Sequence, residues 1–349
     1  MNKIESYSIS LFLVIKMAVV HLNTPSEGYK PSKWFQYVLD HLEEEWDWKY
    51  GIYENPNLTW EDIREYSHSS WNSYALSQNP NITWKTIQKN PGRWDWTGIS
   101  ANPNVTWDII KANPDKPWDW TAISRNPNIT WEIIVANPFL PWDKTKLSPW
   151  SFYELSKHPN ILWHHLQEDT TREWSWCLLS KNPNITWDIV KANHEKRWDW
   201  RFLSENPNIT WEIIQSNPFL PWDASQRTPW NLEAILRNPS ITWDILQSEA
   251  FKKWEKAHFM IPVADNYWRN ISMNPNITFE IVEKNKAKPW SYYWLSRNPM
   301  KKHPFFVKQE EEKESRQRSI SRLKTCKEEM MAYFWHPDRY ASWAFDDDE

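Results

Sequence analysis

Asn126-Pro127-Asn128-Ile129-Thr130-Trp131-Glu132-Ile133-Ile134-Val135-Ala136-Asn137 is the stretch that decides the fold. Asn-Pro-Asn is a turn signal, Thr130 offers a side-chain acceptor suited to a helix N-cap, and Trp131, Ile134 and Val135 then fall on one face at helical spacing. Glu132 places an anion in the first turn, where the helix dipole favours it. Pro138 disfavours a helical conformation at Asn137 and stops the helix there. Such a helix is about eight residues and roughly 12 Å long, too short to persist alone in water. Its neighbours have to hold it.

The stretch recurs. Its marker Asn stands at Asn55, Asn79, Asn102, Asn126, Asn182, Asn206, Asn238, Asn274 and Asn298, with His158 substituting once. Steps of 24 residues dominate, with one of 23, two of 32 and one of 36. A second helix start follows within each period: Asp47, Asn72, Asp95, Asp119, Ser151, Ser175, Asp199, Asn231 and Ser291 each follow a Trp and share little beyond capping ability. The pattern predicts an all-α fold, a helical-repeat solenoid of about ten short helix-pair units of period 24, with expanded 32-residue units and capping helices. Stacked linearly at 8–10 Å, the units would extend roughly 90 Å. The repeated Trp residues read as packing between units.

The expected division is a partly apolar lead-in over 1–30, an N-terminal capping unit over 31–54, the Trp-rich array over 55–303, and a charged C-terminal helix with an aromatic and acidic tail over 304–349. Residues 102–159 align without gaps to 182–239, which marks a duplicated block. Each copy carries an eight-residue expansion, Asp143 to Trp150 and Asp223 to Trp230. Such expansions either decorate a binding face or fill a local change of twist. The 36-residue step from Asn238 to Asn274 departs from the pattern, as a bend or a lost unit would.

Thirty Trp in 349 residues, four Gly and 25 Pro leave Pro to punctuate the chain and little material for phosphate-hugging Gly loops. The net charge of −4 gives no global basic field, which argues against a nucleic-acid protein. Cys177 and Cys326 make no disulfide framework and suit a reducing compartment. Leu11 to Val20 is too short to span a bilayer and, with Glu5 ahead of it and Lys16 inside it, makes a poor signal core, so no membrane association is expected. It reads as a lead-in, or as lying upstream of a start at Met17. Seven Asn-x-Thr sequons sit where helices should begin, so turn and cap explain them without glycosylation. No nucleophile elbow, phosphate loop or paired-Cys metal pattern occurs, and adjacent His164 and His165 diverge on a helix; the expectation is no enzyme, no cofactor and no metal.

The units Asn-Pro-Asn-Ile-Thr-Trp-Glu-Ile-Ile (126–134 and 206–214) and Pro-Trp-Asp-Trp (117–120), with His-Pro-Asp-Arg (336–339) before an acidic end, resemble the Trp-rich NPNITW-repeat proteins of large nucleocytoplasmic DNA viruses. The resemblance covers roughly 46–300 plus the tail and implies a viral protein made in the host cytoplasm; it carries no active site to transfer. The function expected is a non-enzymatic scaffold or adaptor for a protein of host or virus. The alternatives are a virion structural component and single-stranded nucleic-acid binding through exposed aromatics, the latter disfavoured by charge. Because constant positions are explained by packing and capping, the candidate partner-binding residues are variable ones. They are Lys111, Val135, Lys191 and Gln215 on first helices, Thr121, Arg125, Arg201 and Glu205 on second helices, and Lys144, Lys146, Gln226 and Arg227 in the expanded junctions.

Overall fold

The structure is a computed structural model that describes residues 25–300, apart from 67–71, 93, 140–147, 223–227 and 260–263, and scattered positions between 307 and 326. Residues 1–300 and 301–349 form two separate compact units. Among the described residues there are helices and no strand. In the first unit they form ten groups, nine pairs and one group of three, from Lys33–Asp40 with Gly51–Glu54 to Phe279–Lys284 with Tyr292–Leu295. The fold is the helical-repeat solenoid that the period predicts.

Local chemistry sets the helix ends. Thr59, Thr83, Thr106, Thr130, Thr186 and Thr242 cap first helices, and Asn72, Asp95, Asp119, Ser151, Ser175, Asp199 and Asn231 cap second helices, each accepting a backbone N–H of the first turn. Thr210, Thr278 and Ser291 make no such bond. Leu162 cannot, and only the reverse bond of a capping box is made there, His165 accepting the Leu162 N–H at Nδ1 (3.1 Å) while its ring stacks on Trp131 at 4.9 Å. Burial, together with the neighbouring His164, lowers the His165 pKa.

The marker Asn is more than a turn residue. Each donates its side-chain Nδ2–H to the main-chain carbonyl of the marker one unit earlier, and to a carbonyl of the preceding second helix. Asn79 reaches Asn55 O (3.0 Å) and Tyr53 O (2.8 Å); Asn102 reaches Asn79 O (3.1 Å) and Ser77 O (2.8 Å). The run continues through Asn126, Asn182, Asn206, Asn238, Asn274 and Asn298, and His158 keeps it intact by placing Nε2 2.9 Å from Asn126 O. All ten markers are at most 2 % exposed, so every rung is made away from water. A second row runs beside it: the Oγ of Ser77, Ser100, Ser124, Ser156, Ser180, Ser204 and Ser272 accepts the backbone N–H of the next second-helix cap or cap-equivalent residue.

The ladder has no ends. Asn55 donates to Asn298 O (3.0 Å) and Ser296 O (2.9 Å), Asn57 donates to Pro299 O (3.1 Å), and the Asp47 N–H reaches Ser296 Oγ (3.3 Å). The rung from Asn55 to Asn298 O is the one made at every other junction, so residues 25–300 close into a ring of ten units. Trp46 packs edge-on against Tyr292 (5.2 Å, 76°), as Trp118 does on Trp96 (5.2 Å, 88°) and Trp198 on Trp176 (5.3 Å, 89°). Arg297 adds an ion pair across the seam, its Nε 2.8 Å from Asp47 Oδ2. Burial alone would raise the Asp47 pKa, but Arg297 and the Tyr50 N–H hold it below the usual carboxylate range.

Closure corrects three expectations. The array has no 90 Å axis, because its first and last units touch. Residues 31–54 are not an end cap but a unit with a neighbour on both sides: Phe35 packs on Tyr66 (5.2 Å) and Tyr37 on Phe279 (5.5 Å). The 36-residue step hides no lost unit, since Asn274 still donates to Asn238 O; its residues lengthen the pair into Trp243–Gln247, Glu249–His258 and Ala264–Met273.

Second helices of successive units lie in close backbone contact, as Ser73–Gln78 does with Trp96–Ala101 and Leu232–Arg237 with Ala264–Met273. Gly98 shows how close: a Cβ there would come within 2.6 Å of Tyr74 O. In a closed ring the more tightly spaced layer is the inner one, so the second helices line the inside and the first helices, separated by Trp side chains, form the outside.

Candidate binding surface

On each second helix the Ile or Leu three residues before the marker is buried, as is the residue two before it, a Ser in all units but those of Tyr53 and Leu236. The open stripe comprises the residue five before the marker and the half-buried or exposed one just before it, joined by the residue four before it only where that is Glu154, Phe202 or Trp294. Side chains on that stripe face the ring interior. Around 125–157 the stripe is internally neutralised: Glu154 lies 2.9 Å from Lys157 and 4.0 Å from Arg125.

Farther round, the stripe opens into a cavity of about 490 Å³. Lys181, Arg201, Arg237 and Arg269 line it, against Glu205 and Glu233, with Phe202 and Met273 as apolar wall. Four cations face two carboxylates, a local excess of two positive charges in a chain whose net charge is −4. Arg237 is tied down, donating to Asn270 Oδ1 (2.5 Å) and Glu205 Oε2 (3.4 Å). Lys181 shares the same Glu205 carboxylate at 3.6 Å, so one anion serves two cations. Arg269 lies over the Trp294 ring at 4.4 Å. Arg201 is exposed and makes no ion pair among the described residues.

The candidate residues fall on two faces and the ring wall separates them. Lys111 and Lys191 are exposed on first helices, each 2.9 Å from its own Asp108 or Asp188; Val135, 58 % exposed, and Gln215 share that outer layer. Thr121, Arg125, Arg201 and Glu205 are on the inner layer, and of these Arg201 and Glu205 enter the cavity. Lys144, Lys146, Gln226 and Arg227 lie outside the described residues. The flanks of their loops are informative, because Trp150 Nε1 donates to Asn137 O (2.8 Å) and Trp230 Nε1 to Asn217 O (2.7 Å), the bond Trp118 makes to Asn113 O (2.8 Å) over a shorter stretch. The expansions therefore leave and rejoin an unchanged unit.

Lys181, Phe202, Arg237 and Arg269 escaped the sequence reading. The signal was present: the 80-residue offset sets Ala101, Thr121, Ala122 and Arg125 where the second copy has Lys181, Arg201, Phe202 and Glu205, while the packing residues match. A second cavity, about 400 Å³, lies at the 23-residue step. Trp94 follows Asn90 one residue early there, and its buried indole N–H has no hydrogen-bond partner among the described residues. Among the described residues no helix is long and apolar enough to cross a membrane, and no three His, Cys, Asp or Glu are grouped to hold a metal ion. No protein-family model matches this chain, and neither the curated proteins nor the solved structures contain a significant match to it.

Proposed function

We propose that the protein is a non-enzymatic scaffold or adaptor that binds a protein partner of host or virus, acting in the cytoplasm of an infected cell. One observation carries this reading: the repeated residues are absorbed by the ladder, caps and Trp packing that build the ring, and the residues that vary between units gather on its exposed stripes. Ten fixed junctions make a preorganised support, so little ordering cost attends binding to it. The viral setting rests on the NPNITW resemblance.

Affinity capture of the tagged full chain from infected cells, followed by mass spectrometry, tests the proposal. It is repeated with Lys111→Glu/Lys191→Glu on the outer layer and Lys181→Glu/Arg201→Glu on the inner one. The expected result is a protein recovered in stoichiometric amount and lost with one of the two variants. Recovery of nucleic acid in place of protein, or of nothing above background, overturns it.

A further inference from the structure

The cavity of Lys181, Arg201, Arg237 and Arg269 is built by departures from the repeat. Its walls come from second helices of four successive units, the last of which, Ala264–Met273, is lengthened from the usual four to six residues to ten. That extra length supplies Asn266 to the rim, and the same irregular unit carries Arg269 and Asn270. At the positions 80 residues earlier the side chains are small or self-neutralised, with Ala101 in place of Lys181, Ala122 in place of Phe202, and Glu154 set between Arg125 and Lys157. The framework is thus held constant while the lining is changed in one sector to leave uncompensated positive charge.

We propose that this inner-wall cavity binds an acidic segment of a polypeptide, taking two or more carboxylates on separate cations; the inference rests on the scaffold reading and names the chemistry of its partner. The arrangement of charge selects this ligand. The cations are spread around about 490 Å³ and interleaved with Glu205 and Glu233. A compact, highly charged phosphate would meet those carboxylates, whereas carboxylates spaced along an extended chain can sit on Arg201, Arg269 and Lys181 while avoiding them. Guanidinium groups pair with planar carboxylates through two parallel N–H···O bonds. Phe202 and Met273 give the aliphatic stems of such side chains an apolar wall.

Fluorescein-labelled hexaglutamate titrated with the full chain at 50 mM and 200 mM salt provides the test, read by anisotropy. Saturable binding is expected, weakening with salt, and Lys181→Glu/Arg201→Glu should weaken it at least tenfold. Lys111→Glu/Lys191→Glu, which changes the net charge equally but lies on the outer layer, should leave the Kd within twofold. Retained helical dichroism and urea midpoint certify both variants, and Arg201→Glu alone serves if the double variant unfolds. No saturable binding overturns the proposal, as does equal weakening by both charge-matched variants. Inorganic pyrophosphate or single-stranded dT20 binding while hexaglutamate does not assigns the cavity to another anion and also overturns it. A captured partner that is lost only with the outer-layer variant would leave the scaffold reading standing and refute this one.

Discussion

Replacing Asn55 by Ala is the sharpest test of ring closure, because the residue means different things in an open and a closed array. In the ring its Nδ2 donates to Ser296 O and Asn298 O, and its Oδ1 accepts from the Asn57 N–H (2.9 Å) and Asn57 Nδ2 (3.0 Å). The site is 1 % exposed, so water cannot replace these partners. At about 1 kcal/mol net per hydrogen bond, and with two buried carbonyls left without their donor, Asn55→Ala should cost about 3–5 kcal/mol. Asn126→Ala, in mid-array, removes three donated contacts and the bond from the Asn128 N–H, and should cost about the same. Were the array open, Asn55 would face solvent on one side and its loss would cost little more than about 0.5 kcal/mol, as at ordinary surface sites. Urea unfolding followed by far-UV dichroism compares the two. A near-neutral Asn55→Ala beside a costly Asn126→Ala refutes closure. A ring also has no end to fray, since removing any unit breaks two interfaces, so a single cooperative transition is expected where an open array of this length can melt in stages.

His158→Asn restores the common rung and should remove a pH dependence. His158 Nδ1 accepts the Asn160 N–H and Nε2 donates to Asn126 O, so the folded ring needs the neutral imidazole; burial lowers its pKa. Stability from this group is therefore complete above the unfolded pKa of about 6.5 and is lost as pH falls below it, so the advantage of His158→Asn should grow from pH 7 to pH 5; a constant difference would refute the assignment. Asp119→Ala and Thr130→Ala should each cost about 1 kcal/mol in urea midpoint, while Thr210→Ala, whose hydroxyl caps nothing, should cost no more than a few tenths; equal losses would discount capping. Gly98→Ala should destabilise by about 1–3 kcal/mol despite the better helix propensity of Ala, since its Cβ would press on Tyr74 O and lie 2.7 Å from Ser77 Cβ; a stabilised variant would show that the second helices can part.

Much of a single unit was legible from residues such as Thr130, Asp119 and Pro138, because capping and proline act within a few positions of where they stand. The packing role of the Trp was legible for the same reason, since the spacing of Trp131 and Ile134 fixes a face; Ile134 is buried and Trp131 half-buried against the core, whereas Val135, on the same face by spacing, is exposed. What stayed hidden was everything summed over units. Asn126 reads equally well as a turn former, and nothing near it announces that its amide spans to Asn102. The cationic cavity was hidden too, because Lys181 and Arg269 are 88 positions apart and meet only when four second helices stand side by side.

Closure itself is a sum of small rotations. Ten junctions must turn 36° each on average to complete 360°, and no single junction carries a mark of that total. Yet steps of 23, 24, 32 and 36 residues all yield the same rung from one marker carbonyl to the next marker amide. Inserted residues thus leave the rung spacing untouched, which is the condition for a ring to survive insertion. An open solenoid has to cover its apolar ends with polar caps. The helix Lys33–Asp40 is a poor cap, with Trp34, Phe35, Tyr37, Val38 and Leu39 all buried, one aromatic turned to each neighbour. Read alone, that composition looks like a cap with too much apolar surface; a second neighbour accounts for it, and the last repeat supplies that neighbour.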